Sequence, residues 1–372
     1  MKIKDFYTEM WLNIYENKCT YNLSETCVSA LSIKELAELS GIGDKIFETM
    51  ADIRMDYGYI TGSERLRHAI LSLYKNMKSE NITVAHGGIG ANSLVLMSLV
   101  ERGDHIIATS PSYQQGHSLP EALGAELSTI RLKEENNWEL DIDELRSLIK
   151  PNTKLICLTN PNNPTGSIMN EAQLEEIVKI ARSCGAWIFC DEVYRGLNYD
   201  APHLGTAIAD IYEKGISTGS MSKTFSLAGL RMGWIAGPSK FISDIDKCRD
   251  YHIISMSPID DLLAAIALEN ADMLIERSTS ICRHNAQLIY DWVSEEPLLS
   301  VAAPVSGSTA FIKYDIEKES ESLCREILQQ KGVLLVPGIA FECENHFRLG
   351  FGKSASEISQ GMEKISDWLK QF

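Results

Sequence analysis

Paired cysteines are missing from this 372-residue sequence. The nine it has (19, 27, 157, 184, 190, 248, 282, 324 and 343) are scattered and odd in number, and no two stand in a CxxC spacing. Neither a zinc knuckle nor a disulfide framework fits them; free thiols in a reducing cytoplasm do. Positive charge is scarce as well: 35 Lys+Arg against 51 Asp+Glu leaves a net −16. Such a surface has no electrostatic footprint for nucleic acid or an anionic membrane. The opening Met1-Lys2-Ile3-Lys4-Asp5 leads into an acidic amphipathic stretch and lacks the apolar run of a targeting segment. From Asn81 to Val100, twenty residues carry no Asp, Glu, Lys or Arg. His86, Gly87, Gly88, Gly90 and Asn92 interrupt that run, which reads as a strand, a glycine turn and a helix, and a soluble protein is expected.

What is present is ordinary for a globular chain: 44% hydrophobic and 23% charged residues. The length suits roughly two domains. Short apolar runs bounded by Gly, Pro, Asn or Asp predict seven strands, at 82–85, 105–109, 126–130, 154–159, 187–190, 215–219 and 233–236. Helix-period stretches at 93–101, 141–150 and 171–184 lie between several of them. This βαβ rhythm predicts an α/β fold, a mostly parallel seven-stranded sheet with helices on both faces. After about residue 240 the order changes to a long helical run (260–293), strands near 308–314, 333–337 and 347–351, and helices at 320–331 and 356–372. That is a smaller α+β domain. The expected division is 41–275 for the large domain and 276–372 for the small one, with 1–40, including a helix near 3–16, packing on the latter.

Two catalytic motifs are approached and not completed. Gly88-Ile-Gly90-Ala-Asn-Ser93 resembles a dinucleotide fingerprint, but the next strand ends Ala108-Thr109-Ser110 without the acid that would bind a ribose. Ser220-Met-Ser-Lys223 spells the SxxK of serine acyl-enzymes, yet no KTG accompanies it. No HExxH or P-loop occurs. There remains a series of polar groups at strand ends, where parallel sheets bind ligands. Gly87-Gly88-Ile89-Gly90 joins a strand to a helix, a geometry suited to phosphate. Tyr113 follows Ser110-Pro-Ser, Asn163 lies in the breaker-rich Asn160–Gly166, and Asp191 and Tyr194 follow the strand at 187–190. Ser220, Ser222 and Lys223 follow the strand at 215–219, and Arg231 comes eight residues after Lys223.

In this order, these stretches resemble the fold type I, pyridoxal-phosphate-dependent aminotransferases of class I/II, relatives of aspartate aminotransferase. Tyr57-Gly-Tyr-Ile-Thr-Gly62, Gly103-Asp104, Asn163-Pro-Thr-Gly166, Asp191-Glu-Val-Tyr194, Ser220-Met-Ser-Lys223 through Arg231, and Phe347-Arg348-Leu-Gly350 carry the likeness from about residue 55 onward. The resemblance implies that Lys223 forms a Schiff base with pyridoxal 5'-phosphate and then carries a proton, in keeping with the ease with which a lysine pKa falls beside other cations. Asp191 would pair with the ring nitrogen, Tyr194 and Asn163 would bond the ring oxygen, and Tyr113 would stack on the ring. Gly88, Ile89, Ser220, Ser222 and Arg231 would hold the phosphate, joined by Tyr57 from a partner subunit, which implies a homodimer. Arg348, with Asn163, would grip the substrate carboxylate. The expected reaction moves an amino group between an L-amino acid and a 2-oxo acid; elimination or cyclisation on the same scaffold is the alternative. One stretch departs from the pattern. Relatives carry a Gly-x-Pro turn where this chain has Asn22-Leu-Ser-Glu25-Thr-Cys-Val28, and Glu25 is a candidate reader of a cationic substrate.

Overall fold

A computed structural model describes residues 2–372. The strands in chain order are β1 (Tyr21–Asn22), β2 (Ile82–His86), β3 (His105–Ser110), β4 (Glu126–Arg131), β5 (Thr153–Thr159), β6 (Trp187–Asp191) and β7 (Gly215–Ser220). Then come β8 (Met232–Ala236), β9 (Leu299–Val301), β10 (Thr309–Tyr314), β11 (Val333–Leu334), β12 (Val336–Pro337) and β13 (His346–Gly350). Seven of them form one sheet in the order β2-β8-β7-β6-β5-β3-β4. Neighbours from β7 to β4 are parallel, whereas β8 runs antiparallel to both β7 and β2. The seven expected strands are all there, each within a residue or two of its expected bounds. Burial is near-continuous in all of them but the edge strand β4, and complete in β3, β7 and β8, which is what helices on both faces require.

Local chemistry sets the helix ends. The Glu171–Cys184 helix starts with a capping box between Asn170 and Gln173 and stops at Gly185 in the left-handed region. It buries Leu174, Ile177, Val178 and Ala181, one face at helical spacing. Two expectations change. The glycines after β2 are no separate turn, because the Gly87–Leu99 helix begins at Gly87 itself. The long run after 258 is two helices, Pro258–Glu269 and Ala271–Glu295, broken at Asn270.

The C-terminal strands form a second sheet, β12-β13-β10-β9, all antiparallel. The N-terminal segment joins this part of the molecule: β1 pairs in parallel with β11, and the Trp11 indole N–H donates to Leu335 O at 2.8 Å. The backbone of Glu25 lies so close to β13 that a Cβ at Gly350 would stand 1.9 Å from Glu25 O. Among the described residues, no helix is long and apolar enough to cross a membrane.

Candidate active site

The carboxyl ends of β2, β3, β5, β6 and β7 and the beginning of antiparallel β8 share one edge of the large sheet. A cavity of about 360 Å³ opens there, roofed by residues of the Tyr7–Tyr15 helix and of the 22–28 segment. Every expected site residue except Tyr57 lines it.

At one end, Gly88 and Ile89 lie in the first turn of the Gly87–Leu99 helix, whose free N–H groups and dipole favour an anion. Ser220 closes β7, Ser222 follows it, and Arg231 immediately precedes β8. Arg231 and the helix start are tied together, because Gly87 N–H donates to Arg231 O at 2.8 Å. Glycine is required here: Gly87 sits at φ +64, and a Cβ on Gly88 would come within 2.7 Å of Val193 Cγ1. The bare backbone, two hydroxyls and a guanidinium form a cradle that a phosphate fits.

In the middle, Asp191 ends β6 with only 6% of its surface exposed. Its Oδ2 accepts from Asn92 Nδ2 at 2.7 Å and its Oδ1 from the Val193 N–H at 3.1 Å. Burial pushes its carboxyl above the ordinary value, and these two bonds and Lys223 offset only part of that. A cation placed against it would relieve the desolvation, so the site suits a protonated ring nitrogen. Asn92 was not foreseen. Thr218 donates to its Oδ1 at 2.6 Å and so fixes the amide with its nitrogen toward Asp191.

Lys223 stands in the connection from β7 to β8, half-buried at the cavity wall. Its Nζ donates to Thr26 Oγ1 at 2.6 Å, lies 3.7 Å from Cys27 Sγ and is 6.0 Å from the centroid of the Tyr194 ring. Burial disfavours the ammonium, yet Tyr194, Cys27 and Glu25 together outweigh that and hold its pKa above the ordinary value. The expectation of a lowered lysine pKa is thus corrected, since these neighbours prevail over burial and the nearby Arg348 cation.

At the far end, Arg348 on β13 is 3% exposed. It donates to Asn163 Oδ1 at 3.1 Å and to Ser24 O at 2.7 Å, while its buried Nε has no partner. A guanidinium so desolvated, with a donor to spare, awaits an anion. Glu25 reaches the wall but is engaged by Lys353 at 3.2 Å. Tyr113 also lines the cavity, and its hydroxyl donates to Glu9 at 3.0 Å. Glu9, Thr26 and Cys27 had no motif to announce them.

Tyr57 stands apart, 76% exposed beyond the cavity of its own chain. Gly215-Ile-Ser-Thr-Gly219 spells G-x-S-x-G, but it is a strand interior and no nucleophile elbow. Ser217 there is buried, donating to Glu192 at 2.7 Å.

A carboxyl-edge cavity lined by a lysine, a buried aspartate and a phosphate cradle defines a fold type I pyridoxal-phosphate enzyme. The chain belongs to the family described as aminotransferase class I and II, whose model matches residues 10–365. It is similar to a solved PLP-dependent aminotransferase from Streptococcus suis, at 40% identity and TM-score 0.96, covering 100% of this chain and 99% of that one. Capreomycidine synthase of Streptomyces vinaceus is 31% identical over 309 residues, 83% of this chain and 79% of that protein. The solved PLP-dependent cyclase OrfR is 27% identical at TM-score 0.91, covering 100% and 98%.

Proposed function

We propose that this protein is a pyridoxal-phosphate-dependent aminotransferase that moves an amino group between an L-amino acid and a 2-oxo acid. One observation carries the reading: Lys223, Asp191 and Arg348 converge on a single enclosed cavity beside the Gly88–Arg231 cradle. When bound, pyridoxal phosphate supplies an aldehyde that condenses with amines and a ring that withdraws electrons. Gly88 and Ile89 through their N–H groups, Ser220, Ser222 and Arg231 hold its phosphate. Asp191 would offer its carboxylate to the ring nitrogen, Asn163 and Tyr194 would donate to the ring oxygen, and Tyr113 would pack against the ring. Arg348, steadied by Asn163 and Ser24, fixes the substrate carboxylate with its free Nε–H. Lys223 Nζ would take the proton from the substrate Cα and deliver it to the former aldehyde carbon instead of back to Cα, a general acid–base step worth on the order of 10²–10⁴-fold. Thr26 Oγ1, 2.6 Å from that nitrogen, orients it. The 22–28 segment and the Tyr7–Tyr15 helix roof the cavity and limit water's access to that proton.

The working unit in this reading is a homodimer. Supporting it, Met55, Tyr57, Tyr59 and Ile60 are 73%, 76%, 64% and 54% exposed within one six-residue stretch, a local concentration of bare apolar side chains that a partner would cover. Tyr57 then reaches the phosphate of the neighbouring subunit. Residues 1–40 and 276–372 act as the smaller part against a cofactor-bearing 41–275, and nine free cysteines suit a cytoplasmic enzyme.

The test adds single amino acids to the holoenzyme and follows the cofactor's visible band and 2-oxo acid formation. Product that requires an added 2-oxo acid for turnover supports transamination. A second reading, elimination or cyclisation by the same residues, draws on the likeness to capreomycidine synthase and OrfR. It predicts turnover without any acceptor. Lys223→Ala is expected to lose the visible band that wild type gains on adding the cofactor; a variant with the unchanged band refutes the lysine's role.

A further inference from the structure

Six charged side chains line the cavity: Glu9, Glu25, Asp191, Lys223, Arg231 and Arg348. In the function proposed above, on which this inference rests, four of them are engaged. Arg231 meets the phosphate, Asp191 the ring nitrogen, Lys223 the aldehyde carbon and Arg348 the substrate carboxylate. Glu25 has its own cation, Lys353, at 3.2 Å. Glu9 is left over. Its one hydrogen bond comes from a neutral donor, the Tyr113 hydroxyl at 3.0 Å, and among the described residues no Lys, Arg or His forms an ion pair with it.

Glu9 belongs to the first turn of the Tyr7–Tyr15 helix, and Phe6 at the N-cap provides no side-chain bond. The same helix brings Thr8 and Leu12 to the cavity wall, so the carboxylate faces an enclosed space lined partly by apolar groups. An uncharged substrate side chain placed there would strip water from the carboxylate and return nothing, and an acidic one would be repelled. A cation would replace the lost hydration. Arg348 provides independent evidence of a ligand in the same cavity, since its buried Nε lacks any partner. An L-amino acid with a positively charged side chain satisfies both ends, carboxylate to Arg348 and cation to Glu9.

We propose that Glu9 is the specificity-determining residue of this enzyme and selects amino acids whose side chains end in an ammonium or guanidinium group. The alternative is that Glu9 serves only to hold Tyr113 in place.

The experiment measures kcat/KM of the holoenzyme for arginine and lysine and for their uncharged counterparts citrulline and norleucine. Wild type is expected to favour the charged member of each pair by at least about tenfold, the worth of one charge-assisted hydrogen bond. In Glu9→Gln, which keeps the acceptor for Tyr113 and removes the charge, that ratio falls about 10–100-fold, chiefly through KM. Glu9→Lys lowers it further, and Tyr113→Phe leaves it as in wild type while slowing all four substrates. A Glu9→Gln enzyme that loses charged and uncharged substrates equally overturns the proposal. A wild type that turns over both kinds alike overturns it and leaves the aminotransferase function standing. A chain that gains no visible band and converts nothing overturns both.

Discussion

Replacing Arg348 separates binding of the substrate from binding of the cofactor. The side chain leaves β13 almost fully buried, packs its guanidinium 5.3 Å from the Phe341 ring centroid, and donates to Asn163 and Ser24. These contacts fix the fork, and the unpartnered Nε then serves the substrate carboxylate together with a second N–H of the planar group. Two charge-assisted hydrogen bonds of about 1.5–3 kcal/mol each amount to roughly 3–6 kcal/mol. At about 1.4 kcal/mol per decade, Arg348→Ala is expected to lower kcat/KM for every amino acid by roughly 10²–10⁴-fold. Arg348→Lys keeps the charge and loses the planar fork, so it recovers only part of this. The assay is the single-turnover decay of the visible cofactor band at increasing amino-acid concentration, with cofactor content measured in parallel. A rise in the concentration dependence at full cofactor content supports the assignment. An unchanged dependence, or a variant that fails to hold cofactor, refutes it, because the residue then acts somewhere other than on the carboxylate.

Three further outcomes are expected. Thr26→Val removes the hydroxyl that Lys223 Nζ contacts, and kcat is expected to drop about tenfold with little change in KM; a change in KM alone would place Thr26 with the substrate instead. His346 is raised to about 9: burial works against its cation, but Cys343, the Glu134 carboxylate 3.6 Å away and the Glu344 carbonyl prevail. The resulting stability is full below the ordinary histidine value near 6.5 and is lost as pH rises through about 9. Thermal unfolding of Glu134→Gln is therefore expected to vary less than wild type across that window, and parallel curves would contradict this. Finally, sedimentation is expected to give a dimer, and mixing inactive Lys223→Ala with Tyr57→Phe subunits is expected to change cofactor affinity at only one of the two sites. A monomer with full activity would remove Tyr57 from the site.

The large sheet was readable because each of its strands is a short buried run with breakers at both ends, and the period of the intervening helices is local information. Chain reversals that depend on distant partners were not. Val333–Pro337 reads as one strand, yet Val333–Leu334 pairs with Tyr21–Asn22 and Val336–Pro337 with Phe347–Arg348, so the run is divided between two sheets. Asn270 interrupts a continuous helical pattern with a single non-helical residue, for which no breaker warned. Short helices such as Glu64–Leu71 and Gln115–Leu123, the latter containing Pro120, have too few turns to establish a period. At the site, residues in the loops after strands were legible because their spacing forms a pattern. Asn92, Thr26 and Glu9 were not, since each is an ordinary polar residue whose meaning comes from what the fold sets opposite it.

The N-terminal roof has a consequence for how such an enzyme diversifies. Residues on the sheet edge are locked by one another: Gly87 to Arg231, Asn92 to Asp191 and Thr218. Glu9, Leu12 and Thr26, by contrast, arrive on a segment that is held through Trp11 and β1 on the C-terminal strands as well as by Gln114. Evolution can therefore vary that cover at positions such as Glu9 and Leu12, provided that Ser24 and Thr26, which touch Arg348 and Lys223, keep their contacts. Grafting residues 7–15 from a relative of different appetite onto this body, with Ser24 and Thr26 left in place, is a direct way to exchange the diet of the enzyme while retaining its chemistry.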